Sequence, residues 1–117
     1  RARKRITKEG TKVYEIWGPL FFGSVQNFNA KFDVKNDPKT VEIDFMESRV
    51  SDHSGIEAVV NIANKYAAAG KSIQFSHLSP ECTFLLLKHD PSLHKMIKES
   101  IDDPRYYVVT DLLDREV

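Results

Sequence analysis

The most restrictive feature of the chain is a change of hydrophobic period between Thr40 and Gly70. Thr40 to Met46 alternates Val41, Ile43 and Phe45 with Glu42 and Asp44, the spacing of a strand. From Ile56 the period lengthens, so that Ile56, Val59, Val60, Ala63 and Ala67 share one helical face opposite Glu57, Asn61, Asn64 and Lys65. Gly70 then offers a residue able to take positive φ at a helix end, and Ser72 to Phe75 returns to strand character. Two strands joined through such a helix pair in parallel by a right-handed crossover. The fold class is therefore α/β, with helices packed on a mixed, mostly parallel sheet.

The flanking segments extend this unit. Val13 to Trp17 is rich in β formers, and Glu9-Gly10-Thr11 before it supplies turn chemistry, so an N-terminal β-hairpin beginning near Ile6 is expected. Gly18-Pro19 should break that strand, after which Ser24 would cap a helix bearing Val25, Phe28 and Phe32, closed by Asn36-Asp37-Pro38. Ser79 with Pro80 opens a further helix whose buried side would carry Cys82, Leu85, Leu86 and His89, ended by His89-Asp90-Pro91. Beyond Pro91 the helical spacing of Leu93, Met96 and Ile97 competes with the alternation of Ile97, Glu99 and Ile101. A short strand near 96–101 is expected, then a turn at Asp102-Asp103-Pro104 and a last element from Tyr106 that the end at Val117 cuts short.

One domain accommodates all of this: 117 residues suffice for a single core. Residues 1–12 read as a basic linker with the start of the first strand, and 13–117 as the domain proper. The opening Arg1, Ala2, Arg3, Lys4, Arg5 without an initiator methionine suggests a piece of a longer protein. Two readings of this cluster stay open, a solvated linker and a stretch touching anionic lipid. Elsewhere, 17 Lys and Arg balance 17 Asp and Glu, so no global field draws the chain to nucleic acid. The single cysteine, Cys82, excludes an internal disulfide. No apolar run approaches the roughly 20 residues of a membrane helix.

Most motifs resolve into bland readings. Gly70-Lys71-Ser72 lacks the first glycine of a phosphate-binding loop, since Lys65 stands there, and it precedes a strand where such a loop must precede a helix. His53, His77, His89, His94 and Cys82 have no paired spacing of a zinc site, so no metal or cofactor is expected. Ser24, Ser54 and Ser79 have neither a nucleophile elbow nor an identifiable base, and no catalytic residue is assigned. Ser54-Gly55-Ile56-Glu57 has the form of a capping box in which the Ser54 hydroxyl would accept from the Glu57 amide, contributing about 1 kcal/mol. The alternative is a phosphoacceptor at Ser54, because a helix N-terminus favours an added phosphate.

Here the sequence resembles a known family. Val50-Ser51-Asp52-His53-Ser54-Gly55-Ile56-Glu57-Ala58-Val59 is similar to the D-S-x-G-type signature of STAS domains, shared by sulfate transporters and anti-sigma factor antagonists. Gly18 to Ser24, His77 to Cys82 and Asp102 to Asp111 resemble the transporter branch, the SulP family of anion permeases, and the likeness runs from Val13 to Asp111. The resemblance implies the STAS fold and a noncatalytic cytoplasmic domain that supports assembly, trafficking or activity of a transporter for sulfate or a related anion. Implied partners are the parent's transmembrane domain, a cytoplasmic regulatory protein and a second copy in a homodimer, at the cytoplasmic face of the plasma membrane, with no nucleic acid.

The rival implication is a free-standing antagonist switched by phosphorylation at Ser54, the position that aligns with the antagonists' phosphoserine. This chain departs from that pattern: Phe21 stands where antagonists commonly carry an acid, and His53 replaces the usual serine. The candidate interaction surface joins Pro19, Phe21, Phe22 and Ser24 to Asp52, His53, Ser54 and Gly55, since both strand ends open on one side of a parallel sheet.

Overall fold

A computed structural model describes residues 2–98. It contains β1 (Ala2–Ile6), β2 (Lys12–Leu20), a 3₁₀ turn (Phe22–Ser24), α1 (Val25–Asn29), β3 (Thr40–Val50), α2 (His53–Ala68), β4 (Ser72–Ser76), α3 (Pro80–His89) and a second 3₁₀ segment (Pro91–Met96). The strands form one sheet in the order β1-β2-β3-β4, with β1 and β2 antiparallel and the other pairs parallel. Both parallel crossovers step in the same direction, so right-handedness puts α1 and α2 on the same face. That face carries Tyr14, Ile16, Val41, Ile43, Phe45, Ile73 and Phe75, packed in one core with Val59, Ile62, Tyr66 and Leu86 of the helices.

Local chemistry accounts for the element ends. Gly70 takes φ +73, its amide donates to the Ala67 carbonyl and the Lys71 amide to the Tyr66 carbonyl, the paired bonds of a Schellman stop. The ammonium of Lys71 is spent on carbonyls of Val34, Lys35 and Asp37, so the Gly70-Lys71-Ser72 triplet ties down a loop. Ser79 accepts from the Cys82 amide at 3.0 Å with Pro80 in the first turn, as its sequence foretells.

Several expectations are corrected. The basic segment contains β1 itself, whose Arg3 and Arg5 both pair with Glu15, and the first hairpin arm ends at Ile6 instead of beginning there. Gly18-Pro19 does not break β2, which continues to Leu20. Gly18 adopts φ +87, and among the described residues Pro19 pairs with Arg49 of β3 but not with β1, a strand position open on one side where proline is tolerated. The helix after Ser24 is only five residues long, and Phe32 lies beyond it, its ring tilted against Tyr14 at 4.7 Å and edge to face with Phe28 at 4.9 Å.

On α3, Cys82 and Leu86 are buried but Leu85 and His89 are exposed. After Pro91 the chain is 3₁₀ through Met96, and Ile97 makes a lone parallel bridge to Phe75. The rest of the expected strand, the turn at 102–104 and the element from Tyr106 lie outside the described residues.

The turn at Asn36-Asp37-Pro38 contains the main polar feature of the interior. Asp37 is 6% exposed and accepts from Lys12 Nζ at 2.7 Å, Tyr14 Oη at 2.6 Å and Tyr66 Oη at 2.5 Å. Burial alone would raise its carboxyl pKa, but the bonds from Lys12, Tyr14 and Tyr66 prevail and hold it below the ordinary value. This carboxylate ties β2 to α2 through groups 23 to 29 residues away in sequence.

Candidate functional site

The carboxyl ends of β2 and β3 meet the start of α2. Ser51 donates its amide to the Leu20 carbonyl at 2.9 Å, and Ser48 donates its hydroxyl to the Gly18 carbonyl at 2.6 Å, locking the two strand ends together. Gly55 is buried so closely beneath them that an added Cβ would stand 2.6 Å from the Leu20 carbonyl oxygen and 2.9 Å from Val50 Cγ1. Glycine is required here by backbone approach, with no call on unusual φ.

The helix cap falls on a different residue from the one its sequence suggests. Asp52, in extended conformation, is the N-cap: its Oδ1 accepts from the Gly55 amide at 2.9 Å, and its Oδ2 from the Phe22 amide at 3.0 Å. These amides, Phe22 first, hold the exposed carboxyl below its ordinary pKa. Helix α2 thus begins at His53, which puts Ser54 inside the first turn, half-buried and, among the described residues, without a hydrogen bond from its hydroxyl. The Ser54–Glu57 capping box does not form. Glu57 turns outward and pairs with His53 at 2.9 Å, both side chains largely exposed. Asp52 prevails because one carboxylate satisfies the helix amide and the loop amide together, whereas a serine hydroxyl two residues later serves neither.

The Pro19–Ser24 loop is organised by Ser24, whose hydroxyl accepts from the Phe21 amide at 3.1 Å and donates to the Pro19 carbonyl at 3.0 Å. It presents Phe21 at 41% and Phe22 at 79% exposure. The structure therefore brings Pro19, Phe21, Phe22, Ser24, Asp52, His53, Ser54 and Gly55 into one region, stitched by the Phe22–Asp52 bond. Gly55 lies beneath the surface and the others at or near it.

Next to this junction, a groove of about 930 Å3 runs between the ends of β3 and β4 and the facing sides of α2 and α3. Arg49 and Lys88 border it, and neither was singled out from the sequence. The available signal was the α3 stripe itself, where Leu85 and His89 continue a helical row that the core does not use. Among the described residues no group of three His, Cys, Asp or Glu side chains is placed to hold a metal.

A family model described as STAS domain matches residues 3–111. Among solved structures, the STAS domain of an antisigma-factor antagonist from Rhodobacter sphaeroides is 26% identical, covering 64% of this chain and 83% of that one at a TM-score of 0.59. A sulfate transporter family protein from Wolinella succinogenes is 21% identical over 96% of this chain and 93% of its own, TM-score 0.62. The murine Solute Carrier 26 family member A9 anion transporter is 17% identical over 86% of this chain but 18% of its own length, TM-score 0.64. No curated protein matches the sequence.

Proposed function

The chain belongs to the STAS family, and from that premise we propose that it is the cytoplasmic regulatory domain of a SulP-type transporter for sulfate or a related anion. It acts by contact and carries out no chemistry. The observation that carries this reading is the Phe21–Phe22 pair, raised on a loop anchored to Asp52 at the carboxyl ends of the strands. Two exposed rings held by a rigid backbone are costly in water unless a partner covers them. The partners are the transporter's own transmembrane domain, with a cytoplasmic regulator or a second copy of the domain as further contacts.

The complete reading frame is the first test: one without apolar spans ahead of Arg1 refutes the reading. The second is anion uptake by the full-length protein carrying Phe22→Asp. Uptake should fall severalfold while the isolated domain melts as before, since a surface change shifts stability by only about 0.5 kcal/mol. Unaltered uptake would exclude this surface.

One observation favours the alternative of an anti-sigma factor antagonist. The Ser54 hydroxyl lies in the first turn of α2 with no hydrogen-bond partner among the described residues, so phosphorylation there breaks none of their bonds and meets the positive end of a helix. Phosphoserine at Ser54 after incubation with an anti-sigma kinase and ATP, found by mass spectrometry, would favour it.

A further inference from the structure

We propose that the groove between α2 and α3 binds a small anionic amphiphile, a single carboxylate-type head on an apolar body. The groove lies outside the carboxyl ends of β3 and β4, where parallel α/β sheets open to ligands, and its volume of about 930 Å3 is of ligand-pocket size. Its base is apolar: Phe45, Ile56 and Cys82 are buried core residues, and Val50, Leu78 and Leu85 line it above them. Leu85 is 41% exposed, an aliphatic side chain on the row that faces the groove and not the core.

Two cations stand on the border. Arg49 at the end of β3 and Lys88 in the last turn of α3 both line the groove, and neither makes an ion pair among the described residues. The rings of His53 and His89 meet edge to face at 6.2 Å across the gap between the two helices. Of the acids that line the groove, Asp52 has both oxygens engaged by backbone amides, and Glu81 lies in the first turn of α3, matched by that helix's positive end. Lys88 is matched in the same way by the negative end of α3, so the Arg49 guanidinium is the lining charge with neither a helix end nor, among the described residues, an ion-pair partner to match it; above an apolar base it complements a single anionic head on a hydrocarbon body.

Backbone strain points to the same place. His77, which also lines the groove, is the non-glycine residue with positive φ among the described residues, at +59, held there by a 2.7 Å bond from Nδ1 to Asp44. Left-handed backbone is uncommon outside glycine, although histidine adopts it more readily than most residues, and such positions cluster at binding sites. This inference is independent of which protein carries the domain.

The test is heteronuclear NMR titration of the domain with decanoate, with acetate and decyltrimethylammonium in parallel. Decanoate should bind saturably and shift amides of 45–56 and 77–89. Acetate, lacking the body, and the ammonium amphiphile, with the wrong sign, should not. Arg49→Gln and Lys88→Gln should each weaken decanoate about tenfold, the loss of one charge-assisted contact, and both are surface changes whose folding the same spectra verify. Equal binding of the cationic amphiphile, shifts centred on Phe21 and Phe22, no saturation, or unchanged affinity in both variants would each overturn the proposal. None of those outcomes bears on the transporter reading, which rests on the loop.

Discussion

Replacing Asp37 by alanine should be among the most damaging single changes in this domain. Its carboxylate accepts from Lys12, Tyr14 and Tyr66 while itself only 6% exposed. Hydrogen bonds to a charged acceptor each net roughly 1.5–3 kcal/mol, and truncation strands two tyrosine hydroxyls in the core, each at a desolvation cost of roughly 1–3 kcal/mol. These quantities overlap instead of adding. Removing one member of a buried charged pair typically costs about 3–5 kcal/mol, the figure expected here. For a domain of this size that lowers Tm by about 15–30 °C.

Asp37→Asn, which keeps an acceptor for one tyrosine but not the charge, should fall between the wild type and alanine. The assay is urea unfolding followed by far-UV circular dichroism at pH 7. The pH dependence supplies an internal check. Because the folded carboxyl pKa lies below its ordinary 3.8, the ion's contribution is complete above that value and is lost as pH falls through the folded one. The gap between wild type and Asp37→Ala should therefore hold from neutrality to about pH 5 and narrow below 3.8. An alanine variant within about 1 kcal/mol of wild type, or a gap that widens on acidification, would refute the assignment of Asp37 as an ionised hub.

Other expectations concern the junction and the groove. Asp52→Ala should lower Tm and broaden the Phe22 amide resonance, while Ser54→Ala, whose hydroxyl makes no bond among the described residues, should melt within about 1 °C of wild type; the reverse order in a melting series would restore the cap to Ser54. Gly55→Ala should destabilise by about 1–3 kcal/mol despite alanine's better helix propensity, because the new methyl meets the Leu20 carbonyl at 2.6 Å; a stabilised variant in urea titration would contradict that geometry. Cys82 is buried, and burial, with a smaller push from Glu81, raises its thiol pKa to about 11. Iodoacetamide at pH 8 should label it only after unfolding, and fast labelling of the native domain would contradict its placement.

Periodicity and caps made much of the architecture legible. Val41, Ile43 and Phe45 alternate because one face of β3 meets helices, and Ile56 to Ala67 repeat as a helix because one side of α2 meets the sheet. Ser79-Pro80 and Gly70 act through bonds to their immediate neighbours, so their roles can be read without the fold. The family signature brought Asp52 to Gly55 to notice, yet local rules alone chose the wrong cap. Asp52 prevails through the Phe22 amide, which lies 30 residues away in sequence.

The same limit explains the other differences. Pro19 stays in β2 because, among the described residues, it pairs with β3 and not with β1, and Leu85 and His89 leave the core because α3 turns them toward a groove made with α2. Asp37, written as a turn residue before a proline, becomes the interior's anchor only when β2 and α2 bring Tyr14 and Tyr66 to it. What the chain itself determines is whatever depends on the spacing of nearby residues. What tertiary structure decides is which polar groups meet across long separations, because the energy of burying a charge depends on partners that sequence order does not place beside it.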